Sequence, residues 1–274
     1  MSAPLHADSF LLLAAFGLFA TLLFLEKRRP LRRFSGNGLM ASFSTNASAF
    51  LVNNVIMNLL SVSSLLVVAG AYSRHGLLGG VADGPWKWAI SFVLFDFVVY
   101  AWHYCGHRYE ALWRFHKIHH SDKSFHVTTG LRFHVFDQLL EVIVKCVATV
   151  VIGADAHVVV LCEIARMLFV LFHHANIAIP GERYLSYVII TPSLHRTHHS
   201  TRRSEHDSNY GIVLAIWDIL FRTRKEVEPK SIGLELIEAQ NLLQLFSLAF
   251  LTERRLARVL HLLPRKSRHV SQRI

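Results

Sequence analysis

Cysteine and acidic residues are scarce in this chain of 274 residues. It has three cysteines, Cys105, Cys146 and Cys162, and no C-x-x-C pair. An odd number of unpaired cysteines excludes a disulfide framework and a cysteine-based zinc site. Charged residues make up 18% of the chain and hydrophobic residues 52%, with a mean hydropathy of +0.34. This balance is typical of a protein of the bilayer and not of one large water-soluble core.

Basic residues outnumber acidic ones by 29 to 19, and most of them lie beside apolar runs or near the C-terminus. Five fall within residues 27–33, directly after the apolar run 9–25, and no Lys or Arg precedes that run. This order argues against a signal peptide and predicts a retained anchor whose basic end is cytoplasmic. Because there is no basic groove with interleaved aromatic residues, we expect no nucleic-acid partner.

The apolar runs predict an all-α integral membrane helical bundle. We expect three to four spans and a short or re-entrant helical hairpin, with a histidine-rich helical cap on the cytoplasmic face. The protein would thus be multi-pass, with its active site at that face. After the run 9–25, the spans are expected at 47–72 and 86–102, and the hairpin at 138–153 and 156–173. The expected domains are 1–94 (N-terminal spans), 95–223 (catalytic) and 224–274 (a basic, amphipathic tail), with 234–263 lying along the membrane surface.

Histidine is unusually abundant, and 13 of the 18 fall within 103–134 and 173–206. One H-x-x-x-H box and two H-x-x-H-H boxes have helical spacing, so each box is expected to gather its rings on one helix face. About ten imidazoles are too many for one ion, and they indicate two. H-E-x-x-H is absent. The predicted metal ligands are His103, His107, His116, His119, His120, His134, His174, His195, His198 and His199. We expect His126, His173 and His206 to be polar groups around the site.

Two carboxylates are predicted to support the ligands. Asp96 shares a helix face with His103, and a ligating histidine usually donates its second N–H to a carboxylate. Asp137 follows His134 by three residues and is expected to orient it. Glu163 and Arg166 have the spacing of an ion pair within one helix.

At these boxes the sequence resembles the fatty acid hydroxylase superfamily, also called the sterol desaturase family. The resemblance covers about residues 95–223. The matching strings are DFVVYAWHYCGHR (96–108), LWRFHKIHHS (112–121), TTGLRFH (128–134), FHHANI (172–177), LHRTHHS (194–200) and NYGIVLAIWDILF (209–221). Two positions depart from the family pattern: Val135 replaces a proline after His134, and Arg222 replaces a glycine in the L-F-G-T ending.

The resemblance implies a membrane enzyme that uses two iron ions and O2 to hydroxylate or desaturate a C–H bond of a lipid such as an acyl chain or a sterol. The chain has no G-x-G-x-x-G motif after a strand and no haem domain, so electrons are expected from a separate donor, which would be a ferredoxin, a cytochrome or a reductase. Three alternatives stay open at this point. They are an acyl desaturase of the separate membrane desaturase family, a zinc-dependent membrane hydrolase, and a non-enzymatic metal-binding membrane protein.

Overall fold

The computed structural model describes residues 3–34, 36–60 and 64–260. Within those ranges the chain is helical, and its strand-like pairing consists of two isolated bridges, Ile189 with Leu214 and Ser200 with Ile232. The predicted all-α class is therefore confirmed. The last part of the expected basic tail, 261–274, lies outside the described residues.

Thirteen α-helices are described, and two 3₁₀ turns at His119–Ser121 and Val127–Leu131 link some of them. The helices are α1 (Ala3–Arg28), α2 (Gly36–Leu59), α3 (Ser64–Tyr72), α4 (Pro85–Arg108), α5 (Glu110–His116), α6 (Val135–Ile152), α7 (Ala156–His173), α8 (Glu182–Leu185), α9 (Pro192–His198), α10 (Arg203–His206), α11 (Ile216–Leu220), α12 (Leu242–Leu248) and α13 (Glu253–Val259).

Two helices occupy the region where one span was expected at 47–72. α2 begins earlier than expected, at Gly36, and ends at Leu59, whereas α3 begins at Ser64. The apolar composition of 47–72 predicted one span and gave no indication of two helices.

α4 and the α6–α7 hairpin form the scaffold of the site. Pro85 occupies the first turn of α4, where its missing N–H is tolerated. Gly153 ends α6 with a left-handed φ of 75°, and the Asp155 side chain caps α7 by accepting from the Val158 N–H at 3.0 Å. The hairpin expected at 138–153 and 156–173 is thus confirmed as two helices joined by a tight turn.

One apolar core around this scaffold lies between α3, α4, α6 and α7. Phe95 and Val99 of α4 are buried against Ile152 of α6 and Val159 of α7. Between helices that lie in a bilayer, such side chains stabilise the fold through close van der Waals packing. The packing fixes the last turns of α4, which carry His103 and His107, beside the C-terminal end of α7.

A second core lies under the C-terminal segment. Leu245 and Leu248 of α12 and Leu256 of α13 pack with Ile118 and Ile237. The described part, 234–260, of the segment expected to lie along the membrane surface at 234–263 therefore contains two short helices, and both bury leucines against the histidine-bearing part of the chain. An apolar stripe predicts a buried face, but it does not identify the surface that buries it.

Two of the described helices, α4 and α7, are long and apolar enough to cross a membrane. Other helices also expose apolar side chains to their surroundings. Leu51 and Val55 of α2 and Val147 and Val151 of α6 are each more than half exposed. Contiguous exposed apolar surface of this kind marks an interaction with lipid or with another protein.

Candidate metal centre

Nine histidines come together in two adjacent groups below the ends of α4 and α7. In each group, one ring nitrogen of every member lies within 4.8 Å of those of the others. The five-histidine group consists of His103, His107, His116, His120 and His198, and the four-histidine group of His119, His174, His195 and His199. All nine side chains are buried.

Hydrogen bonds fix the ring orientation of three members of the five-histidine group. The Nδ1 atoms of His103 and His198 lie 2.8 Å from the Tyr210 carbonyl and 2.6 Å from the Ser208 carbonyl. The Nδ1 of His116 lies 3.0 Å from Oδ2 of Asp137. Carbonyl and carboxylate oxygens only accept, so each Nδ1 carries the proton and each Nε2 presents a lone pair. Those three Nε2 atoms are buried and have no hydrogen-bond partner.

In the four-histidine group, the Nε2 lone pairs face one another at short distance. The Nδ1 of His174 donates to the Val170 carbonyl at 2.6 Å, and that of His119 donates to the Arg132 carbonyl at 3.3 Å. Both Nε2 atoms then carry lone pairs, yet they lie only 3.1 Å apart. The Nε2 of His195 lies 3.0 Å from that of His174, and the Nε2 of His199 lies 3.1 Å from that of His119.

Protonation of these rings does not remove the repulsion between the lone pairs. Burial, followed by the neighbouring His174, lowers the pKa of His119 well below its ordinary value. Burial also lowers the pKa of His174 to about 3. A shared cation would satisfy the converging lone pairs, and neutral imidazole is a common ligand for iron, zinc, copper and nickel. The residues present therefore fit a metal ion in each group.

The two H-x-x-H-H boxes are each divided between the groups, which differs from the expectation that a box would share one face. α5 ends at His116, and His119 and His120 follow in a 3₁₀ turn, where successive side chains point about 120° apart. His120 therefore joins His116 in the five-histidine group, while His119 turns to the other group. At α9, His195 and the C-cap residue His199 join the four-histidine group, and His198 joins the five-histidine group.

A loop that follows α10 supplies the carbonyls of Ser208 and Tyr210. Asn209 adopts a left-handed φ of 53°, and its amide donates to the carbonyls of Leu194 and Lys225 at 2.8 and 2.6 Å. The Asp218 carboxylate accepts from the backbone N–H groups of Tyr210 and Gly211, both at 2.8 Å. The N-Y-G and W-D strings of the sequence thus shape the loop that orients His103 and His198.

The two predicted carboxylates have different partners from those expected. Asp137 contacts the ring of His116, whereas the expectation was His134. Asp96 accepts from the Trp217 indole at 2.9 Å and from the Leu214 N–H at 3.3 Å, and the His103 N–H is taken by Tyr210. Helical spacing places Asp96 on the face of His103, but a seven-residue separation is about 10 Å along the axis, and the loop carbonyl lies closer.

His134 is the one predicted ligand that lies outside both groups. Its Nδ1 accepts from the Phe136 N–H at 3.1 Å and caps α6. Its ring packs against Phe115 and Phe246. No signal in the sequence separates a capping histidine from a ligand when both lie in a histidine-rich segment.

The three histidines expected around the site have distinct surroundings. His173 stacks on His195, with ring centroids 3.9 Å apart. His206 lies near His107, and its Nε2 is 3.5 Å from Oδ1 of Asp207. His126 belongs to a separate buried network, where it lies 3.1 Å from the Ser42 hydroxyl.

That network centres on Asp122 and Arg132, and sequence analysis missed it. The Asp122 carboxylate accepts from Ser42, Asn46 and Thr129 at 2.7–2.9 Å. The fully buried Arg132 guanidinium donates to the Asn46 side chain at 2.8 Å and to the Ala239 carbonyl at 2.6 Å. The network ties α2 to the segment that carries His119, because the Arg132 carbonyl accepts from that ring.

Two cavities that share part of their walls approach the histidines from the hairpin side. A small cavity of about 40 Å³ is bordered by rings of both groups, including His103, His116 and His174. A larger cavity of about 400 Å³ extends between α2, α6 and α7 and has mainly apolar walls. Phe133, Glu141, Arg166 and Val170 border both cavities.

A third cavity, of about 390 Å³, reaches the five-histidine group through polar walls. His107 and Trp113 border it together with polar residues that include Thr201, Arg203 and Glu253. Trp113 packs on His107 and His120, with ring centroids 4.9 and 5.3 Å apart.

Comparison with known families agrees with this geometry. Residues 88–223 match the family model for fatty acid hydroxylase. The chain carries a fatty acid hydroxylase domain. The matched segment contains all nine grouped histidines and the loop of Asn209 and Asp218, so the resemblance noted from the histidine boxes is confirmed.

Curated relatives extend the match to named proteins. The chain is 32% identical to an ornithine lipid hydroxylase of Rhizobium tropici over 145 residues. This aligned segment covers 51% of this chain and 44% of that protein. It is 32% identical to the human alkylglycerol monooxygenase over 141 residues. That aligned segment covers 52% of this chain and 31% of the human protein. The match spans less than half the length of either relative. No solved structure matches the chain significantly.

The two departures from the family pattern lie beside the site and not in it. Val135 is the first residue of α6, where a proline would also fit, so its replacement leaves the helix start intact. Arg222 has a left-handed φ of 58°, a conformation that suits the glycine of the usual pattern and costs other residues about 1–2 kcal/mol.

Proposed function

We propose that this protein is a membrane-bound, O2-dependent monooxygenase or desaturase that oxidises a C–H bond of a lipid. The observation that carries the proposal is the pair of buried histidine groups, whose Nε2 lone pairs converge at the inner end of a mainly apolar cavity. A site for a water-soluble substrate would not need such walls, whereas a lipid chain requires them.

Each group is proposed to hold one iron ion. His103, His107, His116, His120 and His198 would hold one, and His119, His174, His195 and His199 would hold the other. When bound, the two ions would supply the redox chemistry between O2 and the C–H bond. His134, predicted from sequence as a tenth ligand, is not part of this proposal because its ring nitrogen caps α6.

The protein's own residues orient the rings and exclude water. The carbonyls of Tyr210 and Ser208 and the carboxylate of Asp137 hold Nδ1–H groups, so each Nε2 keeps one direction before any ion binds. Such partners of ligating histidines typically change metal affinity or activity by about 10–100-fold when they are lost. The buried rings leave the small cavity little room for bulk water, which limits side reactions.

The proposed membrane arrangement is multi-pass, with the histidine groups at the cytoplasmic face. The basic end of α1 supports this orientation, because it contacts the segments that carry the histidines. Glu26 accepts from the Val127 and Asn176 N–H groups at 2.8 and 2.6 Å. The backbone N–H of Arg32 lies 3.0 Å from the Asn176 side chain. Basic residues near helix ends favour the cytoplasmic side of a membrane.

Electrons are proposed to come from a separate donor through the polar cavity at Trp113. This aromatic ring contacts His107 and His120 and also stacks on His206, with centroids 5.3 Å apart. It therefore links an open polar surface to two members of the five-histidine group. The excess of basic over acidic residues in the chain, 29 to 19, would favour an acidic partner.

The named relatives support the substrate class. One acts on ornithine lipids and the other on alkylglycerols, judging by their names. Both names denote insertion of oxygen into the named compound. We propose a lipid of this general kind for the present chain, oxidised by hydroxylation or desaturation.

The test is oxidation of a lipid extract under ¹⁸O2 by the iron-loaded protein in detergent. Electrons are supplied either by a chemical reductant or by a ferredoxin with its reductase. Mass spectrometry should find a lipid whose mass rises by one ¹⁸O atom (hydroxylation) or falls by two hydrogens (desaturation), and the product should vanish under argon. Products that form equally under argon, or that take oxygen from water, would instead indicate a hydrolase.

A further inference from the structure

Four charged side chains of the α6–α7 hairpin line the cavity that leads to the histidines. Glu141 and Lys145 lie one turn apart on α6, and Glu163 and Arg166 lie three residues apart on α7. We call them the hairpin quartet. Their charges sum to zero, and they face one another inside an otherwise apolar hairpin. Charges in such a place are costly and usually mark a functional site.

The quartet is not paired evenly. Lys145 donates to both oxygens of Glu163 at 2.9 and 2.8 Å. Glu141 Oε1 lies 3.2 Å from Lys145 Nζ and 3.5 Å from an Arg166 nitrogen, but it makes no well-aligned hydrogen bond. The Arg166 Nε–H is buried and has no partner. The Arg166 Nε–H therefore lacks a partner, and the Glu141 carboxylate, although ion-paired with Lys145 and Arg166, has further lone pairs that can accept.

The position of Glu141 and Arg166 in the cavities decides which ligand they can bind. Glu141 and Arg166 border both the small cavity at the histidines and the larger one between α2, α6 and α7. A chain that fills both cavities must pass them just before its reactive carbon reaches the histidine groups. Leaving the buried Arg166 Nε–H unpaired costs about 1–3 kcal/mol, and a polar group on that chain that accepts from it and donates to Glu141 would remove the cost.

We propose that Glu141 and Arg166 form a subsite for an uncharged group that both donates and accepts hydrogen bonds, such as a hydroxyl or an amide, only a few bonds from the carbon that is oxidised. A neutral group fits because the quartet is already balanced, whereas a carboxylate would add a buried negative charge beside Glu141. This inference rests on the proposed function and narrows its substrate class. The substrate is a lipid oxidised near its polar group and not in the middle of a plain acyl chain.

The subsite is tested by competition binding, which needs no turnover. The metal-loaded protein is held in detergent under argon with tritiated 1-hexadecanol, and unlabelled 1-hexadecanol, hexadecane and hexadecanoate are compared as competitors. We expect 1-hexadecanol to compete at least about tenfold better than either of the other two, as one or two buried hydrogen bonds to charged groups require. Equal competition by hexadecane, or stronger competition by hexadecanoate, would overturn the proposal.

Two variants separate the subsite from general effects on the cavity. Arg166→Lys keeps the positive charge but removes the Nε–H, so the preference for 1-hexadecanol over hexadecane should fall to about twofold or less. Phe50→Leu changes an apolar wall of the larger cavity and should alter the affinities for both compounds together, leaving the preference intact. A preference that survives Arg166→Lys would contradict the assignment.

The outcome is distinguishable from a failure of the proposed function. Binding preference is measured without O2, and lipid oxidation is measured separately with ¹⁸O2. Oxidation without the preference would refute the subsite alone, and a preference without oxidation would refute the proposed reaction alone.

Discussion

His119 and His120 are adjacent in the chain but belong to different histidine groups. Their ring centroids are 5.5 Å apart and the ring planes are perpendicular. Because His119 meets His174 and His199 while His120 meets His107 and His198, one dipeptide ties both groups together. The separation between the groups is thus fixed by the local geometry of a 3₁₀ turn.

The Asp137→Asn variant tests whether the carboxylate supports the five-histidine group. An amide can still accept from His116, but it lacks the charge that strengthens this ligand, so affinity for one of the two ions should fall about 10–100-fold. Competition with a chelator of known affinity measures the change.

The Asp96→Asn variant is the matched control for that experiment. Asp96 contacts Trp217 and Leu214 and no histidine, so the affinity for both ions should stay within about twofold of the parent protein. An equal loss of metal in both variants would mean that Asp137 acts through the fold and not through His116.

Asn209 is predicted to position His103 and His198 through the loop it shapes. Asn209→Ala removes two hydrogen bonds and places alanine at a φ of 53°, which together should destabilise the protein by about 2–4 kcal/mol. Thermal unfolding of the metal-free protein measures this effect, and Asn209→Gly, which keeps only the φ, should recover part of the loss. Identical unfolding temperatures for the alanine and glycine variants would show that the conformation of the loop is not strained.

The Arg222→Gly variant restores the glycine of the family pattern at a φ of 58°. Relief of the left-handed conformation is worth about 1–2 kcal/mol, and the extra freedom of glycine in the unfolded chain offsets about 0.5–1 kcal/mol of it. The free energy of unfolding in urea should therefore rise by up to about 1.5 kcal/mol with no change in metal content. A decrease in stability would mean that the Arg222 side chain makes a stabilising contact that outweighs its backbone cost.

The Asp122→Asn variant tests the buried network beneath His119. Arg132 is fully buried, so removal of the opposing charge should cost about 3–5 kcal/mol. The loss is measured by thermal unfolding of the metal-free protein. Ser42→Ala removes the hydroxyl that contacts Asp122, His126 and Asn46 but leaves both buried charges, and it should cost only about 1–2 kcal/mol. Comparable losses in the two variants would argue that the network is held by its hydroxyl groups and not by its charges.

Much of the fold and site follows from local sequence patterns. The α6–α7 hairpin is recorded in two apolar runs and the Gly153–Asp155 turn, because capping chemistry is local. The spacing of His103 and His107 likewise describes one helix face, and both lie in one group. Spacing fails where the chain leaves the helix, as after His116, since a change to a 3₁₀ turn redirects the next side chains.

Features that depend on distant contacts escaped the sequence. The carbonyls of Tyr210 and Ser208 hold His103 and His198, but a carbonyl leaves no trace in a sequence of side chains. Asp137 could orient either His116 or His134. The choice depends on how α6 packs against α5, and the sequence does not reveal that packing. The pairing of Lys145 with Glu163 across the hairpin was missed for the same reason, although the pair of Glu163 with Arg166, within one helix, was predicted.

The most direct test of the central claim is metal analysis of protein made in iron-replete cells and passed over a chelating resin, for the parent chain and for His119→Ala, His120→Ala and His134→Asn. Two irons per chain are predicted for the parent and for His134→Asn, because asparagine preserves the helix cap. About one iron is predicted for each alanine variant, and none for the double alanine variant. Stoichiometric zinc without iron in the parent, or full iron content in both alanine variants, would contradict the account.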